Sequence, residues 1–81
     1  MEPKIHVVIR NKETIFYEGD VAALSSFNDI GLFDVLPMHE NFISLIRNKI
    51  ILHNDGRQKE FNITDGILKV KNNNVNVYLG L

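Results

Sequence analysis

The chain has 81 residues, 10 acidic and 9 basic side chains for a formal net charge of −1, no cysteine and 44 % apolar residues. A chain this short buries only about 60 to 65 % of its unfolded surface, so one small domain is expected, with little room for a catalytic cleft and the shell that would support it. The even spread of charge offers no electrostatic footprint for nucleic acid or an anionic membrane, and the lack of cysteine excludes disulfide scaffolds and thiolate zinc sites.

The first predicted element is the run KIHVVI, which alternates and sets Ile5, Val7 and Ile9 on one face. Its apolar stretch in MEPKIHVVIRNK is too short for a signal peptide or a membrane span, and a cytoplasmic chain is expected. In IFYEGDVAAL, Gly19 predicts a bulge or a sharp bend through which the chain passes from one sheet to another. Ser25 and Ser26 read as strand-end residues, and Gly31 as a turn.

Next comes DIGLFDVLPMHE, Asp29 to Glu40, which has the look of a loop yet carries Ile30, Leu32, Phe33, Val35, Leu36 and Met38. Period two turns Phe33 and Val35 inward and Leu32 and Asp34 outward. Met38 follows Pro37, which cannot continue a central ladder, so Leu32 and Met38 have nothing of their own to bury against.

ENFISLIRNKI mimics a helix for about two turns, but its β-branched and aromatic content predicts a strand. NDGR, Asn54 to Arg57, carries the Asp-Gly pair of a two-residue hairpin turn, and the three asparagines Asn72 to Asn74 form the next turn. KEFNIT, ILKVK and VNVYL place Phe61, Ile63, Leu68, Val70, Val75, Val77 and Leu79 on inward faces, with Gly66 marking a turn. Val8, Ile51, Ile67 and Tyr78 fall on outward faces, either covered by the chain's own loops or open to a partner. The sum is an all-β single domain over residues 1–81, an antiparallel β-sandwich or flattened barrel of about eight to ten short strands.

Chemistry is sparse. No serine lies in a nucleophile elbow, no phosphate-binding glycine loop occurs, and the carboxylate pairs Asp29 with Asp34 and Glu18 with Asp20 read as local turn clusters. His6 and His53 read as solvated surface histidines, whereas His39, behind Pro37, either orders its loop or touches a partner. Neither a catalytic residue nor a metal or other cofactor is expected.

Four motifs in order, IFYEGDV, GLFDVLPMH, FNITDGILKV and NNVNVYL, resemble the N-terminal β-sandwich of the epsilon subunit of F-type ATP synthases, the counterpart of the mitochondrial delta subunit. The likeness runs from about Ile5 to Leu79 and rests on Ile15, Phe16, Gly19 and Val21, then Gly31, Phe33, Leu36, Pro37 and His39, then Phe61, Gly66, Leu68 and Val70, and finally Asn74, Val75 and Val77. Departures are Asp34 and Met38 where relatives have glycine, Glu40-Asn41 for Ala-Pro, Asp65 for the first glycine of a pair, and Leu32 where many relatives carry an acidic or polar residue.

The resemblance implies a non-catalytic rotor-stalk subunit that couples proton or sodium flow to ATP synthesis, held peripherally at the cytoplasmic face of the cell membrane without inserting into it. Its partners would be the gamma subunit and the c ring, contacted through Gly31, Leu32, Met38, His39, Glu40, Asn41 and Phe42. If these residues are the whole protein, it couples rotation without the two-helix inhibitory domain of longer relatives. From the residues alone, a free-standing β-sandwich binding module, or a homodimer closed through the apolar 30–42 loop, stays open beside that reading.

Overall fold

The computed structural model describes residues 3–80; the expectations that touch Met1, Glu2 and Leu81 lie outside them. Among the described residues there are seven strands and no helix: β1 (Ile5–Arg10), β2 (Ile15–Val21), β3 (Ala23–Phe27), β4 (Leu32–Val35), β5 (Phe42–Asn54), β6 (Arg57–Lys71) and β7 (Asn74–Leu79). They form one sheet in the order β2-β1-β7-β6-β5-β3-β4.

That sheet folds over on itself to enclose the core. The strands are fewer than eight to ten because β5 and β6, at 13 and 15 residues, each serve both layers. One half of this long hairpin lies beside β7 and β1, and the other half pairs with β3. Between the halves the register jumps from Arg47↔Asp65 to Asn48↔Ile63, leaving Thr64 without a partner, while Asn48 takes φ 75°. An extra residue of this kind bends a strand and raises its twist, which lets a continuous hairpin turn the corner.

Two turns follow from local chemistry. Asp55 and Gly56 take φ 52° and 77°, both positive as a tight hairpin of this hand requires, and Asn72 and Asn73 take φ 51° and 64°. The strand expected over ENFISLIRNKI is β5. Pairing is antiparallel throughout except between β1 and β7, which run parallel with Val7 opposite Val75 and Ile9 opposite Val77.

The core is what period two predicts. Ile5, Val7, Ile9, Leu68, Val70, Val75 and Val77 are buried, with Val21, Leu24, Val35, Ile46, Ile50 and Leu52 from the facing segments, while Phe61, Ile63 and Leu79 pack against them half-buried. Each fully buried aliphatic side chain contributes about 1.5–3 kcal/mol relative to exposure.

Three local expectations are corrected. Gly19 sits in regular pairing with Val7, and the ring of Tyr17 lies over it, with the Tyr17 hydroxyl 3.0 Å from where a Cβ would stand. The change of layer falls instead at Ala22, whose N–H donates to His53 O at 3.0 Å as the chain leaves β2 for β3. Gly66 is no turn but a buried strand residue between Ile46 and Leu79, and Asp65 beside it is not among the positive-φ residues. Ser25 and Ser26 lie within β3 and are buried, Ser26 Oγ donating to Lys49 O at 2.8 Å, because β4 and β5 flank β3 on both sides.

Candidate partner-binding surface

The segment between β4 and β5 is a tight turn. His39 N–H donates to Leu36 O at 3.1 Å across Leu36-Pro37-Met38-His39, with Pro37 at the second position and Met38 at φ 68° at the third. This is the signature of a type II turn, whose third position favours glycine. Met38 therefore occupies a left-handed conformation that its side chain disfavours, and two neighbours hold it there. Its N–H donates to Asn73 Oδ1 at 2.7 Å, and Asn72 N–H donates to Asn41 Oδ1 at 3.0 Å. The β6–β7 turn thus clasps the loop at both its flanks.

His39 orders the same loop from inside. Its Nδ1–H donates to Glu40 O at 2.6 Å, and its ring lies 5.0 Å from that of Phe42, which itself meets Phe33 edge-on at 5.7 Å. Phe42 is half-buried against the chain's own core, so of the expected contact residues it is the one already packed. Leu32, at 63 % exposure, and Met38, at 82 %, stand out from this frame, as do Leu36, Glu40 and Asn41.

Gly31 belongs to the preceding β3–β4 turn. There Asn28 Oδ1 accepts from the N–H groups of Ile30 and Gly31 at 2.9 and 3.2 Å, Gly31 takes φ 138°, and Asp29 pairs with Arg47 at 3.0 Å. Ile30 projects from the tip, 97 % exposed. Leu32 on β4 and Leu36 just past its end thus line one side of the sheet together, while Gly31 and Met38 sit in separate turns.

A second apolar surface runs across the sheet. In successive pairings Leu45 lies opposite Ile67, Ile67 opposite Tyr78, Tyr78 opposite Arg10 and Arg10 opposite Ile15. All five face outward, and Ile43 extends the apolar area on β5. Ile67 and Tyr78 were marked by the sequence; Ile43, Leu45 and Ile15 were not. The signal was present, since Phe42 and Ile46 pointing inward turns Ile43 and Leu45 outward.

The two remaining histidines are bonded rather than merely solvated. His6 Nδ1 and Nε2 lie 2.7 Å from Asp20 Oδ1 and 3.1 Å from Glu18 Oε2, both on β2 opposite β1, and these two carboxylates hold its pKa above the usual value. Ser25, His53 and Asp34 also meet, but in the wrong order for nucleophilic catalysis. Ser25 Oγ donates to Asp34 Oδ1 at 2.5 Å and, its one proton so used, accepts from His53 Nε2–H at 2.8 Å, so the hydroxyl proton faces the carboxylate and not the imidazole. Among the described residues no cluster of three His, Cys, Asp or Glu side chains is arranged to hold a metal, and no helix is long and apolar enough to cross a membrane.

The fold is shared with known rotary machinery. One similar solved structure is a chain of the Euglena gracilis mitochondrial ATP synthase, in a structure of its OSCP, F1 and c-ring parts, at TM-score 0.86 and 18 % identity, covering 94 % of this chain and 50 % of that one. Another is a chain of the central stalk and c ring of the Tetrahymena thermophila mitochondrial ATP synthase, at TM-score 0.79 and 10 % identity, covering 96 % of this chain and 64 % of that one. At such identities the likeness is one of fold, and the chain spans only about half to two thirds of those chains. A search of curated protein sequences gives no match. Residues 4–79 match the delta/epsilon chain beta-sandwich domain of ATP synthase, and the chain belongs to that family.

Proposed function

We propose that this protein is a non-catalytic central-stalk subunit of an F-type ATP synthase, joining the gamma subunit to the c ring so that ion flow through the ring turns the stalk. The observation that carries the proposal is the clasped 36–41 loop. Hydrogen bonds from Met38 to Asn73 and from Asn72 to Asn41 hold a strained turn in one conformation, and that turn offers Met38, Leu36 and nearby Leu32 to the outside. A joint that transmits torque needs apolar contacts on a stiff frame, because ordering a loose loop on binding subtracts from the affinity its contacts supply.

Gly31, Leu32, Met38, His39, Glu40 and Asn41 form or border the proposed contact, with Phe42 supporting it from the core. The row through Leu45, Ile67 and Tyr78 is a second face of the same joint. Two separate apolar surfaces suit a subunit lodged between two partners better than a homodimer closed through a single loop. The subunit would lie at the cytoplasmic face of the membrane, held through the complex.

Co-expression with the gamma subunit of the same genome, followed by size-exclusion chromatography with light scattering, tests the reading. A stable one-to-one complex is expected. A chain that elutes alone, or as a dimer indifferent to gamma, overturns it.

A further inference from the structure

Adjoining the 36–41 turn, the outer face of β3, β4 and the end of β5 carries an open groove of about 420 Å³ lined by Ala23, Leu32, Leu36 and Ile51, with Ser25, Asp34 and His53 as its polar groups.

The polar groups are ordered by a single run of hydrogen bonds across four strands. Gln58 Nε2–H on β6 donates to His53 Nδ1 on β5 at 3.4 Å, His53 Nε2–H donates to Ser25 Oγ on β3, and Ser25 Oγ–H donates to Asp34 Oδ1 on β4. Ser25 is buried, and its one proton is committed to Asp34, which aims and holds the carboxylate. Only one carboxylate oxygen is engaged by this run. Among the described residues no lysine, arginine or histidine nitrogen forms an ion pair with Asp34, as with Glu13, Glu40 and Asp65, but of these four only Asp34 lines the groove.

The geometry points to this groove as a receptor for an arginine or lysine side chain of a protein partner, the aliphatic stem lying against Leu32, Leu36 and Ile51 and the cationic head meeting Asp34. Charge complementarity selects the head and the apolar walls select the stem, since both residues bury their methylenes while keeping the charge in reach of water. A protein supplies it because β4 is the last strand of the sheet, with one edge unpaired along Leu32–Val35. An extended segment can add there by main-chain hydrogen bonds, which sets its alternate side chains over the outer face of β4.

The inference specifies one contact of the stalk surface proposed above, yet its test uses the chain alone and so reads the groove whether or not the stalk assignment holds. A capped pentapeptide with a central arginine flanked by valine and threonine is titrated into the isotope-labelled full chain by NMR, alongside the same peptide with citrulline, the neutral isostere. The arginine peptide is expected to shift the amides of Leu32–Val35 and Ser25 and to bind roughly 2- to 5-fold more tightly than the citrulline peptide, the range of a partly exposed ion pair. Asp34→Asn, which keeps the shape and an acceptor for Ser25, is expected to erase that difference. Equal binding of the two peptides, shifts elsewhere on the sheet, an unchanged preference in Asp34→Asn, or shifts at β4 that appear on concentrating the chain without peptide, the mark of a second copy in the groove, each overturn it.

Discussion

Met38 and Asn73 hold each other in place across two turns: Met38 N–H donates to Asn73 Oδ1 at 2.7 Å, and both residues take positive φ, 68° and 64°. Asn73 also accepts through its main-chain oxygen from His6 N–H at 2.9 Å, so one turn residue ties the exposed loop to the first strand of the core. A left-handed residue other than glycine costs about 1–2 kcal/mol, and a methionine that is 82 % exposed gets back little of it within the isolated chain.

Replacing Met38→Gly should therefore leave the isolated domain equally stable or up to about 1 kcal/mol more stable, since relief of the left-handed strain is opposed by glycine's greater freedom in the unfolded chain. Binding to gamma should weaken in the same variant. Thermal unfolding and co-elution check the two halves separately, and a destabilised variant with unchanged co-elution would mean that the side chain serves the fold.

Leu32→Asp should change the stability of the isolated chain by no more than about 0.5 kcal/mol, as for an outward surface position, because Leu32 is 63 % exposed on β4. Its effect should appear in assembly, as a complex lost on size exclusion. A large drop in melting temperature would place Leu32 in the core.

Phe33→Ala bears on the strand phase from the other side. Phe33 is half-buried and meets Phe42 edge-on at 5.7 Å, so truncation should cost about 2–3 kcal/mol, below the full range for a wholly enclosed phenylalanine. Denaturant unfolding measures it, and an unchanged midpoint would contradict the inward phase of β4.

The two strand glycines should differ in their response to alanine. At Gly66 a Cβ would stand 2.9 Å from Leu79 Cδ2 and 3.1 Å from the backbone oxygen of Tyr78, which cannot move without disturbing β7, so Gly66→Ala should destabilise by about 1–3 kcal/mol. At Gly19 the obstacle at 3.0 Å is the hydroxyl end of Tyr17, which can swing aside, so Gly19→Ala should be nearly neutral. Paired melting curves decide between them.

Stability should fall with rising pH through His6. The hydrogen bond to Asp20 first, and then that to Glu18, raises its folded pKa above the ordinary 6.5, so the folded state binds the proton more tightly than the unfolded chain does. The contribution is fully present below about 6.5, the unfolded value, and is lost as pH rises through the higher folded value. Melting temperatures of the native chain and His6→Gln, compared from acidic to mildly alkaline pH, should converge as pH rises. A constant difference would mean that His6 stays in one charge state throughout.

Much of this protein was determined by its sequence. Alternation with period two set Val7, Leu68, Val70, Val75 and Val77 inward and Leu32 outward, and Asp55-Gly56 and Asn72-Asn73 named their turns, because side-chain period and tolerance of positive φ are properties of a few consecutive residues. The tertiary structure alone decided the parallel pairing of β1 with β7, the burial of Gly66, the burial of Ser25 between β4 and β5, and the clasp of Met38 by Asn73. Each joins residues far apart in the chain. Strand period says which face a residue takes and nothing about which distant strand will lie beside it; that choice was made by closing the core.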